Sequence, residues 1–336
     1  MKEKEGTMQR TTRGCVAAVV AAAAMLAASG CTAADAGPED GAARDDITIG
    51  FSVYDMQYEF FQQMEKGTHD AIDARGWKYV LHDEKSDESE MVTGAQALLD
   101  QGVDVLIISP FKPDALGPIV AKAKELSIPV IVDDIGGGGT PYDALIISDN
   151  EQGGVLAADY MAEQIEALAL PTKKVVSITC EPSAIYAARR NDGFRTEIEK
   201  LGYTVVTELS GNNSAEDAYQ VMKDALAKDP DVSGVFACND NLAVAATNAI
   251  ADAGLDPVKD IVTVGFNADP EALAAVKDGS MSATVAQSPR DMGALSVDLA
   301  AQILAGDDLQ FDNTTDREVL QPVELVTPDN VDDFIE

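Results

Sequence analysis

Residues 102–110 read GVDVLIISP and residues 128–134 read IPVIVDD. Each holds a short run of branched aliphatics, opened by Gly or Pro and closed by Ser or Asp. Runs this short and this rich in Val and Ile make strands, and the lack of strict alternation means that both faces of each strand are covered. Working outward from them, further strands are expected at Ile47–Val53, Trp77–Leu81 and Ala144–Ser148, beside those at Val103–Ser109 and Pro129–Val132. Between them the apolar residues return at helical spacing, as in Phe60, Phe61, Met64, Gly67, Thr68, Ala71 and Ile72, or Met91, Ala95, Leu98 and Leu99. Strand–helix alternation of this kind builds a parallel, doubly wound sheet.

The pattern then restarts. Strands are expected at Val175–Thr179, Tyr203–Glu208, Val235–Ala237, Ile261–Val264 and Ala283–Ala286. Helical stretches separate them at Ile185–Leu201, Ala215–Ala227, Leu242–Ala253, Glu271–Lys277 and Asp291–Leu304. The fold class is therefore α/β, with two doubly wound, Rossmann-like lobes. A ligand of such sheets lies at the carboxyl ends of the strands, so two facing lobes place it in the cleft between them.

The chain has 336 residues, enough for two ordinary domains, and 46% of them are hydrophobic. Fifty-eight Asp and Glu face 24 Lys and Arg, a formal charge of −34. That excludes a general nucleic-acid binder, which needs clustered cations, and disfavours attachment to anionic lipid through a basic face. Two histidines, His69 and His82, leave little room for histidine-based metal or triad chemistry. There is no G-x-G-x-x-G, P-loop, G-x-S-x-G, H-E-x-x-H or C-x-x-C motif. Gly136–Gly139 reads as a loop. Asp229–Asp240 echoes a calcium loop, but its middle is better used as a buried strand. The acidic stretch Asp83–Glu90 reads as a solvated loop and helix start. No catalytic group, metal or cofactor is expected.

The N-terminus reads as an export signal. Lys2, Lys4, Arg10 and Arg13 precede an apolar run from Val16 to Ala28, too short to span a membrane. A start at Met8 fits as well as one at Met1. The run ends in Ala28-Ser29-Gly30-Cys31, which resembles a bacterial lipoprotein cleavage box. Residues 1–30 are thus expected to be removed, Cys31 to be lipidated, and 31–46 to form a flexible tether at the outer face of the cell membrane. Cys180 and Cys238 end apolar strand-like runs. An extracytoplasmic location permits a disulfide between them, but two buried thiols are the favoured reading.

Taken together, several stretches resemble the ribose-binding-protein type of periplasmic sugar-binding protein, the solute receptors of ABC importers. They are Phe60-Phe61, 102–110, 128–134, Ser148–Gly154, Arg190–Phe194, Phe236–Asp240, Val264–Asn267 and Ala286-Gln287. The resemblance implies two lobes, 47–148 with 288–319 and 149–287 with 320–336, joined by a three-segment hinge near Ser148-Asp149, Gln287-Ser288 and Leu320–Pro322. It implies a neutral monosaccharide or polyol as ligand, ABC permease subunits with their ATPase as partners, and a monomer. Ligand positions carry over one at a time. Phe60, Phe61 and Phe266 match aromatics that flank the sugar. Asp134, Arg190, Asn239 and Gln287 match polar groups that pair with its hydroxyls. Tyr58 stands where the ribose type has Asn, Ile135 where it has Arg, Asn213 about where it has another aromatic, and Asn267 where it commonly has Asp. The chemistry is coherent, since flat rings cover the C–H faces of a sugar and forked planar groups pair with neighbouring hydroxyls. A sugar-sensing subunit and an extracellular sugar-processing enzyme are the alternatives. A lactose-repressor-type regulator shares the architecture, but the export signal and the lack of a basic helix-turn-helix argue against it.

Overall fold

The computed structural model describes residues 46–181 and 184–335; the signal, Cys31 and all of the tether except Asp46 lie outside the described residues. The first sheet is built from β1 (Thr48–Val53), β2 (Lys78–Asp83), β3 (Val105–Ile108), β4 (Val130–Asp133), β5 (Ala144–Ser148) and β11 (Glu318–Gln321). The second contains β6 (Lys174–Thr179), β7 (Thr204–Ser210), β8 (Gly234–Ala237), β9 (Val262–Asn267), β10 (Ala283–Ala286) and β12 (Glu324–Val326). The strand orders are β11-β5-β4-β3-β1-β2 and β12-β10-β9-β8-β6-β7, the same arrangement twice. Every pairing is parallel except that of β10 with β12. The chain passes between the sheets three times, after β5, after β10 and after β11. The pair Gln321↔Ser148 keeps Leu320 and Gln321 in the first sheet.

The central strands are buried along their whole length: VLII in β3, VIVD in β4, GVFA in β8 and ATVA in β10. Helices cover both faces. They are α1 (Glu59–Ala74), α2 (Glu88–Asp100), α3 (Gly117–Leu126), α4 (Asn150–Ala167), α5 (Ile185–Lys200), α6 (Ala215–Lys228), α7 (Asp240–Asp252), α8 (Pro270–Asp278) and α9 (Pro289–Ala305). Their starts follow capping chemistry. The side chains of Asp87, Asp149, Ser214 and Asn239 accept from backbone N–H groups of the first turn, which would otherwise be unpaired.

Two helix pairs meet at glycine, α1 with α9 at Gly67 and Gly293 and α4 with α5 at Gly154 and Gly193. A Cβ on Gly154 of α4 would lie 2.2 Å from the carbonyl oxygen of Arg190, and one on Gly193 of α5 would lie 2.2 Å from that of Glu151. The α4–α5 crossing is thus backbone against backbone, which fixes the helix carrying Arg190.

Two expectations need correction. Cys180 and Cys238 are not separate thiols; they form a disulfide with Cα atoms 5.5 Å apart. The reason is sheet order: β6 and β8 are direct neighbours in the register Ile178↔Ala237, so the residues just past their ends meet. The acidic stretch 83–90 is not all solvated. Glu84 is fully buried, accepting from Ser52 Oγ and from the Phe111 N–H, both at 2.7 Å. Burial pushes its carboxyl up to about 8. The stretch from Asp229 is a turn before β8, with Asp229 and Asp231 paired to Lys174. Among the described residues no helix is long and apolar enough to cross a membrane.

Candidate functional site

In sheets of this strand order the crossover direction reverses between β1 and β3 and between β6 and β8, and ligands bind outside the carboxyl ends there. Both switch points are occupied by linked side chains. In the first sheet the rings of Tyr54 and Phe111 meet edge to face at 5.2 Å. In the second the Cys180–Cys238 disulfide spans the gap.

The candidate residues fall on the two sheets. Phe60 and Phe61 open α1 and pack edge to face at 5.2 Å. Phe61 also stacks on Tyr54, 4.9 Å away and nearly parallel. Both phenylalanines are largely buried, whereas Tyr58 is about half exposed. Asp134 and Ile135 follow β4 and are buried. Asp134 has φ +67°, a left-handed conformation that Asp tolerates.

On the second sheet, buried Arg190 is held from three sides. Its Nε donates to Asn150 Oδ1 at 2.7 Å and Nη1 to the Cys238 carbonyl at 2.9 Å. Its guanidinium lies 3.7 Å from the centre of the Phe266 ring. Asn239 caps α7 through Leu242 N at 3.0 Å, and its Nδ2 reaches Asn213 Oδ1 at 3.4 Å and Cys180 Sγ at 3.5 Å. Gln287 Nε2 donates to Asn267 Oδ1 at 2.7 Å, and Asn267 Nδ2 donates to Asp269 at 3.3 Å. Six candidates thus form linked groups on the second sheet, and five lie on the first.

The two sets are close enough to interact. Burial pushes the Asp134 carboxyl up to about 6, against the pull of the Arg190 charge. Burial lowers Arg190 to about 10, with Asp134 and Tyr186 opposing. Asp133 is pushed well up by burial and by Asp134. Among the described residues, the buried side-chain oxygens without a hydrogen-bond partner are Ser109 Oγ, Asp133 Oδ1 and Oδ2, Asp134 Oδ1 and Gln287 Oε1. All five sit at the carboxyl ends of β3, β4 and β10. A buried unpaired acceptor is costly, and here the cost is concentrated where a ligand belongs.

A cavity of about 810 Å³ opens beside these groups, lined by Tyr58, Ile135 and Asn213 of the candidate set. The other eight candidates lie outside its wall. Tyr54 and Tyr186, which the sequence reading passed over, also line it. Tyr54 follows β1 directly, a strand-end position it shares with Asp134 after β4 and Gln287 after β10. Tyr186 was hidden inside a helical pattern. Its ring lies 4.9 Å from the Arg190 guanidinium. Asn150, the acceptor for Arg190, lies in the quoted stretch Ser148–Gly154 but was not singled out. Among the described residues no cluster of His, Cys, Asp and Glu could hold a metal ion.

The model of the family described as "Periplasmic binding protein domain" matches residues 49–308. The ribose import binding protein of Bacillus subtilis is 33% identical over 273 residues, 81% of this chain and 87% of that protein. The xylitol-binding protein of Mycolicibacterium smegmatis is 29% identical over 94% of this chain and 86% of its own length. The crystal structure of a Caulobacter myo-inositol binding protein bound to myo-inositol superposes with a TM-score of 0.73 at 26% identity, covering 88% of this chain and 97% of that one. The duplicated sheets, the facing strand ends and these matches agree: the chain belongs to the periplasmic binding protein family, as a binding protein and not an enzyme.

Proposed function

We propose that the protein is an extracytoplasmic receptor that closes two lobes around a neutral monosaccharide or polyol and presents it to the permease of an ABC importer. The observation that carries this reading is the set of unpaired oxygens at Ser109, Asp133, Asp134 and Gln287, contributed by both sheets. A sugar or polyol brings several hydroxyls, each donor and acceptor, and such groups satisfy neighbouring carboxyl and amide oxygens together. Phe60, Phe61 and Phe266 supply flat apolar faces beside them. The relatives named for ribose, xylitol and myo-inositol support the same chemistry. The three passages between the sheets serve as the hinge, with β11 moving the last of them to Pro322. Lipidation at Cys31 would hold the receptor beside its permease.

Ribose itself is not the best ligand in this reading. Ile135 presents a branched apolar surface where the resembling ribose binders carry a guanidinium, so a sugar needing those donors loses charged hydrogen bonds.

A thermal-shift screen of the purified protein against pentoses, hexoses, polyols and cyclitols tests the reading, because a ligand of the native state raises the melting temperature. At least one should raise it and compact the protein in solution scattering. No shift with any of them would remove the sugar assignment. Cys31→Ser should move the protein out of the membrane fraction, and unchanged fractionation would remove the anchor.

A further inference from the structure

We propose that the cleft takes a two-part ligand: a polyhydroxylated ring at the Asp134–Gln287 end, carrying a second ring that lies in the cavity between the two switch points. This rests on the sugar reading above and names a narrower class, a glycoside with a cyclic aglycone or a disaccharide. The first ground is size. The cavity measures about 810 Å³. Even at the volume of liquid water, roughly 30 Å³ per heavy atom, a hexose of about twelve heavy atoms fills less than about 360 Å³. The cavity therefore exceeds the need of one ring before any space around Asp134 and Gln287 is counted.

The second ground is what lines it. Tyr54, Phe111 and Tyr142 come from the first sheet and Tyr186 from α5 of the second. Aromatics are only 5% of the chain, so their gathering here is selective. Rings contributed by both sheets can cover both faces of a flat guest. Lys112, on the rim with them, offers a donor to hydroxyls of a second ring.

The third ground is continuity with the polar end. Ile135 lines the cavity and is bonded to Asp134, whose Oδ1 is unpaired. Tyr186 lines it and stacks against Arg190. Asn213 lines it and contacts Asn239. The space is also built by the chain: a Cβ on Gly137 would lie 2.1 Å from the Tyr142 ring, so that ring keeps its place on the wall only because residue 137 has no side chain.

Calorimetry decides the matter with paired probes. D-glucose, D-galactose and D-xylose are each compared with their phenyl α- and β-glycosides, and with cellobiose, lactose and xylobiose. At least one extended probe should bind tenfold or more tighter than its parent monosaccharide. Lys112→Ala and Tyr142→Ala, on the cavity wall away from the sugar-flanking rings, should each cut that gain at least threefold while leaving the monosaccharide affinity within about twofold. Monosaccharides that bind while every extended probe binds more weakly would overturn the proposal and leave the receptor reading intact. A gain that survives in both variants would also overturn it, since the second ring would then lie elsewhere. Binding of neither kind of probe would overturn this proposal, whereas the sugar reading falls only if the wider thermal-shift screen shows no ligand.

Discussion

Arg189 of α5 and Glu318 of β11 join the two sheets directly. The Arg189 Nη2 donates to Glu318 Oε1 at 2.6 Å, and Glu318 is almost wholly buried. The pair ties α5 to the start of β11, so in the proposed closing motion it acts as a latch between the two lobes. Removing one partner of a charged hydrogen bond costs about 1.5–3 kcal/mol. Arg189→Ala should therefore raise the ligand off-rate about tenfold and leave the on-rate nearly unchanged, with Arg189→Lys in between. Stopped-flow fluorescence reads both rates. An unchanged off-rate with a lowered melting temperature would make the pair purely structural.

Asp134→Asn separates binding from folding. Asn tolerates the left-handed backbone of residue 134, but it replaces an acceptor oxygen with a donor. Affinity should fall about 10- to 100-fold, as for a lost charged hydrogen bond, with the melting temperature nearly unchanged. Donors from the ligand favour the ionised carboxylate. Binding by the parent protein should therefore weaken as pH falls through about 6, the value to which burial raises Asp134, and the Asn variant should lack that dependence. Calorimetry between pH 5 and 8 would show it. Arg190→Ala is a poorer test, because it also strips donors from Asn150 and from the Cys238 carbonyl.

Glu84 governs stability at alkaline pH. Burial raises its folded value to about 8, above the ordinary 4.5. Its neutral form is therefore favoured in the fold, so its contribution is complete below about pH 4.5 and is lost as pH rises through 8. Glu84→Gln should melt within a degree or two of the parent at pH 5 and clearly above it at pH 9. Equal melting at both values would show that Glu84 does not set the alkaline limb.

The disulfide ties together the turns that follow β6 and β8, which carry the contacts to Asn239 and Arg190. It closes a loop of 58 residues, and loss of such a bridge costs about 2–4 kcal/mol. The double variant Cys180→Ser, Cys238→Ser should melt several degrees lower, and a thiol reductant should lower the parent but not the variant. Identical melting with and without reductant would mean that the bridge contributes no stability.

Much of this molecule is legible in one dimension. Runs such as VLII and VIVD are apolar on both faces, so they can exist only between layers of helices, and their alternation with amphipathic helices leads to parallel sheets. The restart near residue 175 makes two of them. Candidate residues such as Asp134, Asn239, Asn267 and Gln287 came from the family resemblance, and their place at or beside the carboxyl ends of strands agrees with where this topology puts a ligand. The short strands β11 and β12 escaped notice, because EVLQ and ELV carry polar residues and are neither apolar throughout nor long enough to alternate, and they gain strand geometry by pairing with β5 and β10.

What the linear order could not contain is adjacency. The sequence determined the two-sheet architecture and the chemical character of the strand ends, since both follow from local periodicity and residue type. The tertiary structure alone decided that Cys180 meets Cys238 across β6 and β8, that Glu84 is buried with the Phe111 N–H bonded to it, that Arg189 reaches Glu318, and that five aromatic rings from both sheets line one cavity. Each of these depends on which strands are neighbours and how the two sheets face each other. Those relations are set by the packing of the whole chain, as for Arg189 and Glu318, 129 positions apart.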